Sequence, residues 1–425
     1  MQNNAVKALL SGRRYLLLQG PMGPFFSKLS AWLETLGRET VQVVFNGGDR
    51  FYCRNGNYRV FNQLPKTFPA WLEDLYQEYP FDTILCFGDC RPLHQLAHRW
   101  TDLKDVRFLA FEEGYLRPHF ITLEAGGVNA YSATPREPEF YHHLEESPAA
   151  TAEELRLKPS SLKRMWHAAW YYLVSWYVHE KYPHYQHHKS FSPWYEARCW
   201  FRAGWRKVWY KYQQRNVLGA LQTTFSERYY LAVLQVYNDS QIRNHSHYDD
   251  VRDFINEVML SFSHHAPPTT MLVFKHHPMD RGHRLYKPLI LRLGKKYGIH
   301  KRVIYVHDIP VPELLTHAKA VITINSTAGL SALIHNKPLK VMGKALYNIR
   351  EITYQGDLNQ FWNSDFKPDI RLFKKFRNWL LKNTQINAVY YGKKPHDDFS
   401  STIATSSFNK IASTYSMTNK KASDV

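Results

Sequence analysis

The sequence predicts an α/β fold in which two Rossmann-like domains face each other across a cleft. Short, nearly continuous apolar runs recur along the chain, and such runs are typical of parallel strands that are covered by helices on both faces. A length of 425 residues is also more typical of two domains than of one. Ligands collect beyond the carboxyl ends of strands in these sheets, so the residues after each run are candidate site residues.

Residues 1–150 are predicted to form the first Rossmann-like domain. A glycine-proline loop at residues 20–24 follows the first strand, and Phe25, Phe26, Leu29 and Leu33 give the next segment the apolar side of a helix. The predicted strands are residues 15–19, 41–45, 83–87 and 106–111, with a helix over residues 25–36.

Residues 151–225 have a different composition and are predicted to form a helical insert. Seven of the twelve tryptophans lie here, interleaved with arginine, lysine, tyrosine and histidine. Amphipathic aromatic residues beside basic ones suit a membrane surface. Packing against the two domains explains the same composition equally well, so both interpretations stay open.

The second Rossmann-like domain is predicted at residues 226–358, followed by closing helices at 359–397 and a disordered tail at 398–425 that is rich in Ser, Thr and Lys. The expected strands are residues 229–234, 271–274, 303–306 and 320–324, and the expected helices are 249–260, 311–318, 329–334 and 369–383.

The composition narrows the class of partner and the compartment. A formal net charge of +18 favours an acidic partner, namely nucleic acid, an anionic membrane or a phosphate-bearing substrate. No nucleic-acid-binding signature accompanies the charge. The four cysteines form neither a CxxC pair nor a metal quartet, and no apolar stretch is long enough for a signal core or a spanning helix. A cytoplasmic protein with at most peripheral membrane contact is therefore expected.

An acid pair follows the run at residues 106–111. We expect Gly114 to turn the backbone so that Glu112 or Glu113 points into the cleft, where a carboxylate accepts a proton from an attacking hydroxyl. The alternative is a structural acid, either at a helix start or in a salt bridge with Arg117.

Two further polar groups suit a nucleotide phosphate. Lys275, His277 and Pro278 end the run at residues 271–274, and Pro278 is expected to orient His277, whereas isolated histidines are usually structural. Small hydroxyl residues end the run at 320–324 and precede a predicted helix start, which is an anion site unless it is an ordinary N-cap. The candidate nucleotide-binding residues of this second group are Ser326, Thr327 and Gly329.

Two loops are candidates for sugar or acceptor binding. The segment after the strand at 229–234 contains Asp239, a candidate nucleophile or electrostatic stabiliser, although Asn-Asp-Ser also favours an ordinary turn. The glycine-proline loop lacks both GxGxxG and a P-loop ending, which leaves close approach to a sugar or acceptor as its role. The residues concerned are Gln235, Asn238, Ser240 and Gln241 in the first loop, Gly20, Met22 and Gly23 in the second, and Arg117 beside the acid pair.

Together these groups indicate a nucleotide-sugar cleft and hence a glycosyltransferase. The sequence resembles the bacterial capsule polysaccharide biosynthesis and export proteins, in particular the β-Kdo transferases that start the capsule lipid linker. The resemblance runs from about residue 14 to 355 and is carried by residues 17–26, 111–118, 234–241, 277–278 and 326–333. One departure is Lys-His-His-Pro where related chains often have Lys-Pro-His-Pro, which leaves the function of His276 open.

The resemblance implies a GT-B-like fold and transfer of Kdo from CMP-Kdo to a phosphatidylglycerol-type lipid at the inner face of the cytoplasmic membrane. Carried over by position, Glu113 is the catalytic acid/base, His277 and Ser326-Thr327 grip the CMP, and Asp239 is a candidate nucleophile in a retaining mechanism. No cofactor and no metal are expected. The implied partners are the CMP-Kdo donor, the lipid acceptor, a second Kdo transferase and the capsule export machinery, with no nucleic acid.

Two other functions fit the same residues. One is a polyol-phosphate transferase that uses a CDP-alcohol, since such enzymes can also carry a His-Pro loop and a serine-rich phosphate loop. The other is a non-catalytic capsule export component that retains the GT-B shell.

Overall fold

The computed structural model describes residues 3–53, 56–145, 157–185, 193–237, 242 and 245–393. The chain divides into two compact units. The first contains the described parts of Met1–Ala133, Pro148–Pro193 and Asn378–Val425, and the second those of Thr134–Ser147 and Trp194–Arg377.

The first unit is built on a seven-stranded sheet of order β12-β6-β5-β4-β1-β2-β3. Strands β1 to β5 pair in parallel, whereas β6 runs antiparallel to β5 and β12 antiparallel to β6. Because β1 lies between β2 and β4, the chain changes direction across the sheet at β1, where α/β sheets open toward a ligand. The strands are β1 Arg14–Leu17, β2 Glu39–Val44, β3 Tyr58–Val60, β4 Thr83–Phe87, β5 Arg107–Glu113, β6 Ile121–Ala125 and β12 Gln385–Ile386.

Helices cover the first sheet with apolar side chains. One core cluster joins the buried face of α2 to β1 and β5 through Phe25, Leu29, Tyr15 and Phe111. A second cluster packs Phe68 and Leu72 of α4, among others, against the other side. The helices of this unit are α1 Asn4–Leu10, α2 Phe25–Thr35, α3 Gly47–Tyr52, α4 Phe68–Glu78, α5 Pro92–Thr101 and α7 Ser161–Tyr177.

The second unit is built on a five-stranded parallel sheet of order β11-β10-β7-β8-β9. Strand β7 lies between β8 and β10, so the change of direction in this sheet is at β7. The strands are β7 Tyr229–Val233, β8 Met271–Lys275, β9 Val303–Val306, β10 Ala320–Thr323 and β11 Leu339–Val341.

The helices of the second unit begin in α6 and end in α15, which continues into the first unit after Arg377. Asp250 and Asp253 form a capping box at the start of α10, whose buried side packs into the core with Phe254, Val258 and Phe262. These helices are α6 Pro138–His142, α8 Pro193–Gln213, α9 Arg215–Gln222, α10 Val251–His265, α11 Lys287–Lys296, α12 Val311–His317, α13 Ala328–Ile334, α14 Leu358–Phe361 and α15 Ile370–Asn383.

The structure confirms the predicted α/β class and the predicted strands and helices to within a few residues. Two expectations were wrong. Strands β5 and β8 continue through Glu113 and Lys275, so these residues are the last of their strands rather than the first of a loop. Residues 151–225 do not form one insert, because α7 belongs to the first unit and α8 and α9 to the second. The predicted tail at 398–425 lies outside the described residues.

Candidate active site

Glu112 lies at the carboxyl edge of the first sheet and is half-buried. Burial raises the pKa of Glu112 to about 7, and the negative charges of Glu113 and Asp89 raise it further. The Glu113 backbone N–H donates to Glu112 Oε1 at 2.9 Å, and this hydrogen bond lowers the pKa. Its Oε2 lies 3.7 Å from where a Cβ would stand on Gly88, the residue after β4. Glu112 is therefore suited to exchange a proton near neutral pH.

Glu113 lines a cavity of about 210 Å³ in the first unit. Its Oε1 lies 3.3 Å from a guanidinium nitrogen of Arg164 on α7, and its side chain stays 28% exposed. Arg117 lines the same cavity, with Nε donating to the Gly114 carbonyl at 3.2 Å. Two arginines and one accessible carboxylate give this cavity the donors for an anionic ligand and an acceptor for a proton.

The glycine after the acid pair has a different role from the one predicted. A Cβ on Gly114 would lie 2.0 Å from the Phe120 carbonyl oxygen, so a side chain there would collide with the start of β6. Gly114 permits this close approach and is not needed for a left-handed turn.

The predicted glycine loop lies beside the first candidate cavity. The Met22 carbonyl accepts a hydrogen bond from Tyr391 at 2.7 Å, and Tyr391 also lines the cavity that contains Glu113. Gly23 has φ +138°, a conformation that favours glycine, whereas Gly20 is packed against Phe26. Sequence analysis missed Arg164 and Tyr391, because both come from segments far along the chain.

A second group that the sequence did not indicate surrounds β1. Gln19 follows β1, and its Nε2 donates to Tyr171 at 2.9 Å and to Asp49 Oδ2 at 3.1 Å. Burial raises the pKa of Asp49 to about 6, although hydrogen bonds from Tyr171 and Gln19 act to lower it. Arg91, after β4, donates to Gln19 Oε1 at 2.5 Å. This network holds the loops after β1, β2 and β4 together at the edge where the sheet opens.

In the second unit, Gln235 joins the loops after β7 and β10. Its Nε2 donates to Asn325 Oδ1 at 2.8 Å, and its Oε1 accepts from the Asn325 backbone N–H at 3.0 Å. Only 5% of Gln235 is exposed. Both ends of the Gln235 amide are therefore hydrogen-bonded to Asn325, so Gln235 positions the two loops rather than presenting its amide to a sugar.

Lys275 does not present its ammonium group at the surface, contrary to its predicted contact with a nucleotide. Its Nζ donates to the carbonyls of His276, at 3.0 Å, and His307, and the residue is 3% exposed. Burial lowers its pKa to about 8, while the charge of Asp308 opposes that change. Lys275 therefore ties the end of β8 to the end of β9.

His276, whose role the sequence left open, is also a buried structural residue. Its Nδ1 lies 2.7 Å from the Tyr305 hydroxyl, and burial lowers its pKa to about 2, so the ring is neutral. The neighbouring His277 is half-buried and caps the turn Pro278–Asp280 by accepting the Met279 N–H on Nδ1 at 3.2 Å. An acceptor at Nδ1 places the hydrogen of the neutral His277 ring on Nε2.

Ser326 and Thr327 are half-buried between β10 and α13, but Gly329 is buried. Ser326 Oγ accepts the Ala328 N–H at 3.2 Å, which is the capping role considered as its alternative. Within the described residues, Thr327 at the N-cap makes no side-chain hydrogen bond to the helix. A Cβ on Gly329 would lie 2.4 Å from the Tyr347 hydroxyl, so this glycine is required for packing.

Four predicted site residues, Asn238, Asp239, Ser240 and Gln241, lie outside the described residues. The loop that leads to them is tied to the turn after β8, because Asp280 Oδ2 accepts the Tyr237 backbone N–H at 2.9 Å. Within the described ranges, no group of three or more His, Cys, Asp or Glu residues is arranged to hold a metal ion.

Comparison with known proteins decides the family. Residues 82–391 match the family described as "Capsule polysaccharide biosynthesis protein". The chain belongs to this family. The matched region includes the acid pair and every candidate residue of the second unit, and it leaves out the glycine loop at residues 20–23. The predicted resemblance to capsule polysaccharide biosynthesis proteins is confirmed.

Curated members of the capsule family match almost the whole chain. The chain is 68% identical over 391 residues to the capsule polysaccharide export protein KpsS of Escherichia coli, covering 92% of this chain and 100% of that protein. It is 38% identical over 401 residues to the capsule polysaccharide modification protein LipB of Neisseria meningitidis serogroup B, covering 92% and 95%.

Among solved structures, this capsule family chain is similar to the beta Kdo 2,7 transferase of KpsC from Thermosulfurimonas dismutans. The TM-score is 0.39 at 16% sequence identity, with 96% of this chain and 99% of that chain covered.

Proposed function

We propose that this capsule biosynthesis protein is a glycosyltransferase that moves Kdo from CMP-Kdo to a phosphatidylglycerol-type lipid. The strongest support is the position of the candidate residues: the acid pair ends β5 at the carboxyl edge of the first sheet, and His277 and Ser326 follow the strands on either side of β7, where the second sheet changes direction. Carboxyl edges beside a change of strand direction are where α/β sheets bind nucleotides and sugars.

The second unit is proposed to bind the donor. His277 accepts the Met279 N–H on Nδ1, and the proposal assigns its Nε2–H as a donor to a phosphate oxygen. The hydroxyls of Ser326 and Thr327 supply further donors. Hydrogen bonds of this kind stabilise the negative charge that develops on the CMP phosphate as it leaves.

The first unit is proposed to bind the acceptor. Arg117 and Arg164 line the cavity that contains Glu113, and they suit the phosphate of a lipid headgroup. Over the whole proposed reaction, a bond forms between the acceptor oxygen and the anomeric carbon of Kdo, Glu113 accepts the hydroxyl proton, and the bond between that carbon and the CMP phosphate is lost.

The retaining course is a further part of the proposal. Asp239 would attack the anomeric carbon first and release CMP, and the acceptor hydroxyl would then displace Asp239 from the covalent intermediate. This role is carried over from the resemblance alone. The protein would work peripherally at the inner face of the cytoplasmic membrane, beside a second Kdo transferase and the capsule export machinery.

The donor is tested by incubating the purified full chain with short-chain phosphatidylglycerol and either CMP-Kdo or CDP-glycerol. The proposal predicts a Kdo-lipid product and CMP release from CMP-Kdo only. Release of CMP from CDP-glycerol with CMP-Kdo inert would favour the polyol-phosphate transferase instead.

The Escherichia coli relative is named as an export protein, which favours a second candidate, a non-catalytic export component. Complementation of a capsule-deficient strain distinguishes the two. A scaffold would restore the capsule equally well with Glu113→Gln or His277→Ala, whereas a transferase with either substitution would not.

A further inference from the structure

Helix α8 exposes its apolar side chains to solvent. Trp194, Phe201 and Val208 are 79%, 81% and 72% exposed, and Trp205 and Tyr212 lie between and after them on the same stripe. The spacing of seven, four, three and four residues keeps all five on one side of a helix. A helix of a water-soluble domain normally turns this side to the core.

The opposite side of α8 is polar and bonded to its own unit. Arg202 Nε donates to the Gly282 carbonyl at 2.6 Å, and Arg206 donates to the Arg281 carbonyl at 2.8 Å. Tyr210 stacks on His307, with ring centroids 3.6 Å apart. These contacts fix the rotation of α8 about its axis. Because the side with Arg202, Arg206 and Tyr210 packs on the second unit, the aromatic stripe faces solvent.

The outward side also carries positive charge. Arg198 lies on the aromatic stripe, and Lys211 and Lys207 are exposed farther round the helix, about 100° and about 140° from the stripe. The sequence of α8 contains one acid, Glu196, which points inward and lies 3.9 Å from His283. The surface that α8 presents is therefore both apolar and cationic.

Helix α7 of the first unit independently repeats this pattern. Leu162, Trp166, Leu173 and Tyr177 are exposed on one side, and no acidic residue occurs in the helix. Its other side packs on the first unit, where Tyr171 donates to Asp49 at 2.7 Å.

We propose that the outward face of α8 docks on an anionic lipid surface. Tryptophan and tyrosine favour the interface between headgroups and acyl chains, and basic side chains are attracted to anionic headgroups. The formal net charge of +18 adds to this attraction. Within the described residues, no helix is long and apolar enough to cross a bilayer. In the proposed contact, α8 lies on the lipid surface.

The role of this docking rests on the proposed function: α8 would be the surface through which the transferase reaches its lipid acceptor. Arg202 and Arg206 hold the segment at Arg281–Gly282, which closely follows His277. A helix is about 10 Å wide, so docking would hold this segment about one helix diameter from the lipid surface. A lipid acceptor would then meet the donor side without leaving the bilayer.

The test is flotation of the full chain with vesicles of phosphatidylcholine, with or without phosphatidylglycerol, at low and high salt. Phe201→Ser with Trp205→Ser, and separately Arg198→Glu with Lys211→Glu, should lower binding to phosphatidylglycerol vesicles by about tenfold or more. The matched control is Leu291→Ser with Lys295→Glu on α11, which changes an exposed leucine and an exposed lysine of the same unit and should bind like the unchanged chain.

Several results would overturn the docking proposal. These are no flotation of the folded chain with either vesicle, equal binding by the α8 variants, or equal binding to neutral vesicles. A concentration-dependent dimer that only the Phe201 variant abolishes would identify a second copy as the occupant instead. Vesicle binding is measured without any donor, so its failure is distinguishable from failure of the transfer reaction.

Discussion

At the scale of single residues, His277 is the donor-side group whose chemistry the structure defines most closely. With Nδ1 occupied by the Met279 N–H, a neutral ring carries its hydrogen on Nε2. We expect His277→Ala to weaken CMP binding by about 10- to 150-fold, since a hydrogen bond to a charged group contributes roughly 1.5–3 kcal/mol. Isothermal titration calorimetry with CMP measures this change.

The control for His277 is His335→Ala in the same unit. His335 Nδ1 lies 2.8 Å from the Ser331 carbonyl, so this ring also has a local backbone contact, but it follows the far end of α13. An unchanged affinity for CMP in the His277 variant, with the fold intact, would remove His277 from the donor site.

Glu124 of β6 provides a test of buried charge in the first unit. Burial raises the pKa of Glu124 to about 7, although hydrogen bonds from Ser132 and Tyr115 act to lower it. The folded state therefore holds a proton that the unfolded state loses between about pH 4.5 and 7, and this group destabilises the fold as pH rises through that window. The cost above pH 7 is on the order of 3 kcal/mol.

Glu124→Gln should remove this dependence. Urea denaturation gives the free energy of unfolding of the variant minus that of the unchanged chain, a difference in which all other titrating groups cancel. This difference should increase from pH 4.5 to 7, because only the unchanged chain is destabilised by Glu124 in that window. A difference that stays flat across this window would show that the Glu124 carboxyl is not destabilised by burial.

Single residues also mark the limit of prediction from sequence. Lys275 stands at the end of an apolar run, which suggested a surface ammonium group, but its partners include the His307 carbonyl, a contact between strands that no local pattern reveals. Gly329 looked like part of a phosphate loop, and only the position of Tyr347 explains why it must be glycine.

At the scale of elements, the loops after β7 and β10 are joined by the two hydrogen bonds between Gln235 and Asn325. We expect Gln235→Ala and Asn325→Ala to be non-additive in a double-mutant cycle, with a coupling energy of about 1 kcal/mol, because both changes remove the bond from Gln235 Nε2 to Asn325 Oδ1, whereas only Gln235→Ala also removes the bond from the Asn325 backbone N–H. Urea unfolding of the two single variants and the double variant measures the coupling. Strict additivity would contradict a direct link between these loops.

The elements themselves were largely predictable because their apolar patterns are strong. The run at 271–274 and the stripe of Phe25, Leu29 and Leu33 each gave the correct type of element. The outward face of α8 was not predictable, because periodicity identifies a helix with two different sides but does not say which side its unit covers. That choice depends on Arg202, Arg206 and Tyr210 finding partners on distant loops.

At the scale of the whole molecule, two α/β units were predicted correctly, but the path of the chain between them was not. After Arg377 the chain returns to the first unit, where Gln385–Ile386 adds the edge strand β12. A strand of two residues has no pattern to detect. The same return brings Tyr390 and Tyr391 to the cavity of Glu113, which is why these site residues were missed.

The most direct test of the whole account is the yield of Kdo-lipid from CMP-Kdo and short-chain phosphatidylglycerol, measured by mass spectrometry for the unchanged chain, Glu113→Gln and Glu39→Gln. Glu39 is a matched control, because it also lies 3.3 Å from an arginine, Arg14, but at the start of β2. We predict that Glu113→Gln lowers the yield by about 100-fold or more, while Glu39→Gln stays within about twofold. Full activity of Glu113→Gln, or no product from the folded unchanged chain, would contradict the account.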